Sequence, residues 1–94
     1  MNVEDLHRDA IVIDATCPLA RIHDYVAWYR EGGATTIAPT ITGAAGNART
    51  GFGQIGGWHR YVRERNDTIL VRQVADIERA KAGGKLGLIL HCQG

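Results

Sequence analysis

Residues 85–94, KLGLILHCQG, follow the pair Gly83-Gly84 and hold Leu86, Leu88, Ile89 and Leu90 with almost no polar alternation. An apolar run of this length bounded by glycine predicts a parallel strand covered on both faces. Such sheets bind their ligands at the carboxyl ends of the strands. His91, Cys92 and Gln93 are therefore expected to be displayed at the mouth of a site, with the rest of that site supplied from elsewhere.

Two further runs read as strands of the same sheet. Ala10-Ile11-Val12-Ile13 leads into a polar end, Asp14-Ala15-Thr16-Cys17-Pro18. ATTIAPTIT at residues 34–42 is β-branched and follows Gly32-Gly33, with Pro39 as the one residue that cannot donate a ladder hydrogen bond. Helical patterns lie between them. In residues 21–31, Ile22, Tyr25, Val26 and Tyr29 share one helical face and Gly32-Gly33 supplies the stop. Residues 53–65 place Ile55, Trp58 and Val62 on one side, with Gly56-Gly57 permitting close packing on a strand. Residues 76–82 form a short helix from an Asp76 N-cap to the Gly83-Gly84 stop. The order α, β, α, β, α, α, β indicates βα units and a parallel sheet.

With 22% charged residues and a formal net charge of +1, the chain has ordinary globular composition, read as one domain over residues 1–94. Tyr61, Val62 and Glu64 interrupt Arg60, Arg63 and Arg65, so the basic stripe is no more than a solvated helix face, and no nucleic-acid partner is expected. No run approaches the ~18 apolar residues of a membrane span. The start, MNVEDLHRDA, has neither a basic nor an apolar leader region, so a cytoplasmic location is expected. Two cysteines, Cys17 and Cys92, are too few for a disulfide framework and lie on two strand ends that could be neighbours. TGAAGNARTGFG at residues 42–53 reads as a mobile loop.

Three parallel strands do not close a barrel, which takes about 250 residues in the (β/α)8 form. The chain is thus expected to be either a small open sheet or the amino-terminal part of a larger body.

Taken in order, HRDAIVIDATCPLA (residues 7–20), EGGATTIAPTIT (31–42), IGGWHRYVRERND (55–67) and VADIERAKAGGKLGLILHCQG (74–94) resemble the amino-terminal third of the membrane (renal) dipeptidase family of zinc metallopeptidases. The resemblance implies an α/β fold, the first βα units of a (β/α)8 TIM-type barrel left incomplete in this chain. It also implies hydrolysis of dipeptides by a two-zinc site at the carboxyl ends of the strands. In that family the first strand ends Asp-Gly-His-x-Asp and a later strand ends Glu-Gly. Here the matching residues are Asp14, Ala15, Thr16, Cys17 and Pro18, and then Gln93-Gly94, so the covered ligand positions are occupied by Thr16, Pro18 and Gln93. Proline offers no donor atom, a threonine hydroxyl is a poor zinc ligand, and a neutral amide lacks the charge of a bridging carboxylate. No zinc is expected on this chain through those positions, and none of its residues is assigned a catalytic role.

Gln93, Asp14 and Cys17 are the candidate ligand-binding residues at the mouth. A substitute soft-metal site built from Cys17, His91 and Cys92 conflicts with strand geometry, because adjacent residues point to opposite faces. Asp14 stands behind a ligand site, serves as a general base or, the favoured reading, bonds the backbone of the next loop. Trp28, Trp58, Tyr25 and Tyr61 are expected to pack helices on the sheet, and His7, His23 and His59 to lie at the surface. The leading expectation is a divergent or inactive dipeptidase relative that pairs with the remainder of its barrel and takes a small dipeptide-like ligand. The alternative is a non-enzymatic chain that pairs with another polypeptide to complete a barrel.

Overall fold

A computed structural model describes residues 2–43 and 46–93. Gly94, at the end of the run quoted above, and residues 44 and 45, in the expected loop, lie outside the described residues. The chain runs α1 (Val3–Asp9), β1 (Ile13–Cys17), two 3-10 turns (Pro18–Arg21 and His23–Tyr25), α2 (Val26–Glu31) and β2 (Thr36–Thr42). It continues with α3 (Ala48–Arg63), β3 (Thr68–Leu70), α4 (Val74–Gly83), β4 (Leu86–Leu88) and β5 (His91–Cys92). All strand pairings are parallel, in the order β1-β2-β4-β3, with β5 also on β2.

β2 is the central strand, buried from Thr36 to Ile41. β4 and β5 both pair with it, Ile37 opposite Leu88 and Thr40 opposite His91, so the 86–92 run is one extended element with an irregularity near its end. On the other side, Asp14 pairs with Ile37 and Cys17 with Pro39, a slip of one residue. That irregularity falls opposite the proline, which has no N–H to give the ladder. Gly87 sits where no side chain fits: a Cβ there would meet Thr36 Oγ1 at 2.6 Å and Val71 Cγ2 at 2.7 Å.

Several expectations are corrected. A fourth strand, β3, lies in the stretch between the last two expected helices, and β4 enters the sheet between β2 and β3. Three residues of strand are too short for period-2 alternation to mark them. The first strand is Ile13–Cys17 rather than residues 10–13, and four of its five residues are exposed instead of covered on both faces. The 21–31 helix is broken into 3-10 turns and a six-residue α2, with Ile22 exposed. Half of the expected 42–53 loop is helix, because Asn47 caps α3: its side chain accepts from Thr50 N at 3.0 Å while Thr50 Oγ1 accepts from Asn47 N at 3.1 Å. Asp76 is not the N-cap of α4 but lies in its first turn, accepting from Arg72 N at 2.8 Å and Gln73 N at 3.1 Å. The helix stops hold: Gly33 and Gly84 take φ of +90° and +65°, the left-handed region that favours glycine.

The core gathers Cys17, Ala20, Val26, Ile37, Ile41, Trp58, Leu86 and Leu88. Trp58 is fully buried, as its position on the apolar stripe of α3 requires, whereas Trp28 is 60% exposed and does not pack on the sheet. His23 is not a surface residue. Its ring lies 4.1 Å from that of Trp58 and 4.7 Å from that of Tyr61, and burial lowers its pKa from the ordinary 6.5, opposed by Asp24. At the amino-terminal edge of the sheet, Arg30 donates to Asp67 O at 2.7 Å and to Gly84 O at 2.9 Å, joining α2 to the approaches of β3 and β4. His7 Nε2 meets Gly32 O at 2.8 Å and Lys81 Nζ donates to Arg8 O, which hold α1 in place although none of its residues is buried.

In the full-length protein Gly87→Ala is expected to destabilise the fold by about 1–3 kcal/mol through overpacking, read as a lower urea midpoint. Because the folded state holds His23 below 6.5, the unfolded chain binds more protons under mildly acid conditions. Stability should therefore rise as pH is raised to 6.5 and level off above it. His23→Phe is expected to flatten that part of a pH–stability profile.

Candidate functional site

β1, β2 and β5 run in the same direction, so their carboxyl ends come to one side of the sheet. A recess of ≈ 520 Å³ opens there. Pro18 and Arg21 reach it from the turn after β1, Thr40, Thr42 and Gly43 from the end of β2, and Gln93 from the residue after β5. The far wall is the start of α3, with Thr50 and Gln54. The backbone closes the seam between β2 and β5, Gln93 N donating to Thr42 O at 2.9 Å. Thr40 Oγ1 lies 3.1 Å from His91 Nε2, so that hydroxyl is already engaged.

A second recess of ≈ 470 Å³ lies at the opposite end, between α1 and the carboxyl ends of α2 and α4. It is lined by the helix-end contacts that tie α1 down. Parallel α/β sheets place their chemistry at the other end, and the strand-end recess is the candidate site.

Of the residues singled out in the sequence, Gln93 lines this recess and its side chain is exposed. Asp14 lies instead in an apolar groove of ≈ 400 Å³ beside β1, with Leu19, Trp28, Tyr29 and Ala34. Its Oδ1 accepts from Thr16 N at 3.4 Å, the local backbone bond expected of an aspartate at a strand end. Cys17 turns into the core, 1% exposed, and its thiol donates to Asp14 O at 3.6 Å. Burial pushes the Cys17 thiol above its ordinary value, against a backbone hydrogen bond from Ala38. Cys92 is exposed, and both cysteines are free. They are not on neighbouring strands, since β2 stands between β1 and β5.

Of the three positions that the resemblance assigns to metal ligands, Pro18 and Gln93 face the recess and Thr16 is exposed beside it on β1. Among the described residues, no group of three or more His, Cys, Asp or Glu side chains is gathered so as to hold a metal ion. The donor set does not fit a two-zinc centre, because the recess offers hydroxyl and amide oxygens and one guanidinium, but no thiolate, imidazole or carboxylate.

Arg21 and Gln54 went unread in the sequence. Arg21 follows a polar strand end by only a few residues, and Gln54 sits in a stretch read as the boundary between loop and helix. A basic residue just past a strand end was the signal available.

The chain is similar to a solved crystal structure of an amidohydrolase from Pseudomonas aeruginosa, with a TM-score of 0.82 and 30% sequence identity. The similarity covers 99% of this chain and 29% of that one. The chain thus spans less than a third of that protein's length, and over that span it has an amidohydrolase-like α/β fold. No protein-family model matches the chain, and no curated protein matches it. No described helix is long and apolar enough to cross a membrane.

Native-state alkylation with iodoacetamide followed by peptide mass spectrometry should modify Cys92 and spare Cys17. Both should react in denaturant. The thiolate is the nucleophile, and the Cys17 sulfur is buried with a raised pKa.

Proposed function

We propose that the chain supplies the first strands of a dipeptidase-like hydrolase barrel whose mouth binds a small amide-containing ligand without the two-zinc centre of the family it resembles. The observation that carries this reading is the pairing of Pro18 and Gln93 in one strand-end recess, two positions of the resemblance that now present no metal donor of the required kind. The likeness to an amidohydrolase supports hydrolase-like ancestry. The recess itself supports binding. Gln54 and Gln93 each present an N–H donor pair and an acceptor oxygen, a set that matches an amide bond and polarises it weakly. A Lewis acid or a general base is what a hydrolase needs in addition, and this recess contains no His, Asp or Glu.

The test is elemental analysis and dipeptide hydrolysis with the full-length protein, purified without chelator. Less than one zinc per chain and no chelator-sensitive hydrolysis are expected. Two zinc ions held at the ends of β1 and β5, with hydrolysis abolished by chelator, would overturn the reading. Gln93→Glu alone should not create activity, because Thr16 and Pro18 still provide no ligand. Thr16→His, Pro18→Asp and Gln93→Glu combined are expected to raise zinc affinity.

A second reading, a non-enzymatic chain that acts by pairing with another polypeptide, draws support from the apolar groove beside β1. Leu19 and Trp28, which line it, are 46% and 60% exposed, and Ile13 of the same edge strand is 48% exposed. An unpaired edge strand with apolar side chains on display favours association. On either reading the isolated 94 residues should self-associate. A monodisperse monomer with a sharp two-state unfolding transition in light scattering and urea titration would contradict it.

A further inference from the structure

The recess at the strand ends differs from a metal mouth in the sign of its charge. It is lined by one cation, Arg21, and by no aspartate or glutamate. Among the described residues Arg21 makes no salt bridge, as is also true of Arg49, Arg60, Arg63 and Arg72, but of these five Arg21 is the one that lines this recess. Nor does its side chain appear in a hydrogen bond to any described residue, although it stands within reach of a cavity of ≈ 520 Å³. A guanidinium is always charged and presents N–H donors in a rigid fork. Left without a carboxylate of its own chain, it is available to an anion from outside.

The neighbouring groups select which anion. Gln93 and Gln54 each add an amide N–H pair. The Thr42 hydroxyl is held only by a long 3.5 Å contact to Gly43 O and can turn toward a ligand. Donors thus outnumber acceptors, yet the formal charge is a single positive one. One guanidinium fork matches the two oxygens of one carboxylate. A phosphate dianion would leave uncompensated negative charge, and a divalent cation would be repelled.

We infer that this recess is a carboxylate subsite: Arg21 pairs with the carboxylate of a small organic acid, and the Gln54 and Gln93 amides hold the neutral part of the same molecule. The inference rests on the proposed reading of the mouth as a metal-free binding site and names the ligand class that such a site would take. Thr16, Pro18 and Gln93 are all uncharged, so none of them competes with an outside anion for Arg21.

The probe is N-acetylglycine, compared with its neutral amide N-acetylglycinamide, by isothermal titration and protein-observed NMR. The full-length protein is first stripped of metal with 1,10-phenanthroline and desalted, so that no polycarboxylate chelator competes. The acid is expected to bind about tenfold or more tightly than the amide, a difference of the size of one charge-assisted pair, and to weaken as salt is raised. Arg21→Gln should bring the acid-to-amide affinity ratio close to one, and Arg21→Lys should restore part of it. Because Arg21 is exposed, its variants should keep the unfolding midpoint of the unaltered protein. The acid–amide comparison on that protein stands without any variant.

Equal binding of acid and amide, no detectable binding of the acid, or an Arg21→Gln protein that keeps the preference would each overturn the inference. Chelator-sensitive dipeptide hydrolysis by the metal-loaded protein would instead overturn the reading of the mouth, and the metal-free titration keeps the two failures apart.

Discussion

β2 is paired on both sides, with β1 along one edge and β4 followed by β5 along the other, and its residues Thr36 to Ile41 are buried. The positions of the other strand ends follow from that double pairing. A one-residue slip would move every side chain of a strand to the opposite face, and the burial of both faces of β2 penalises such a slip on either side. Gly87 tightens the constraint, since its missing Cβ lets Thr36 and Val71 approach where any side chain would separate them. Pro18, Thr42 and Gln93 meet in one recess because the strands that carry them end level with β2.

The chemistry of that recess follows from which donors the strand ends carry. Threonine, proline and glutamine stand at positions where the family resemblance implies imidazole and carboxylate. Neutral oxygens do not offset the mutual repulsion of two divalent ions. The same wall carries no carboxylate beside the Arg21 guanidinium, which is the basis for proposing an anion rather than a cation as its ligand. Arg30, by contrast, spends its hydrogen bonds on Asp67 O and Gly84 O at the other end of the sheet, and its role is architectural.

β1 is the weak side of the structure. Opposite Pro39 its register slips, and the slip turns Cys17 into the core while Asp14 lies in the groove beside Leu19 and Trp28. Two residues that a regular strand would have presented alternately to one side and the other are thereby withdrawn from the mouth. The groove that Asp14 borders is apolar and open, which is the physical basis for expecting this edge to be covered by more polypeptide.

Sequence alone determined the order of helices and strands apart from β3, the stops at Gly32-Gly33 and Gly83-Gly84, the burial of Trp58 and the buried run from Leu86 with Gln93 just past its end. Each is a local matter of periodicity, of a glycine at positive φ, or of an apolar run that nothing but a buried strand accommodates. What lay beyond it was non-local. β3 is three residues long and acquires its identity only from hydrogen bonds to β4. The early start of α3 depends on a capping exchange between Asn47 and Thr50 inside a glycine-rich stretch that reads as loop. The separation of Cys17 from Cys92, the half-burial of His23 against Trp58 and the place of Arg21 at the mouth are decided by which strands neighbour which and where a register slips. Periodicity reports which face a residue takes on its own element. The partner that face meets is set by pairing between segments distant in the chain, and that pairing exists only in the folded sheet.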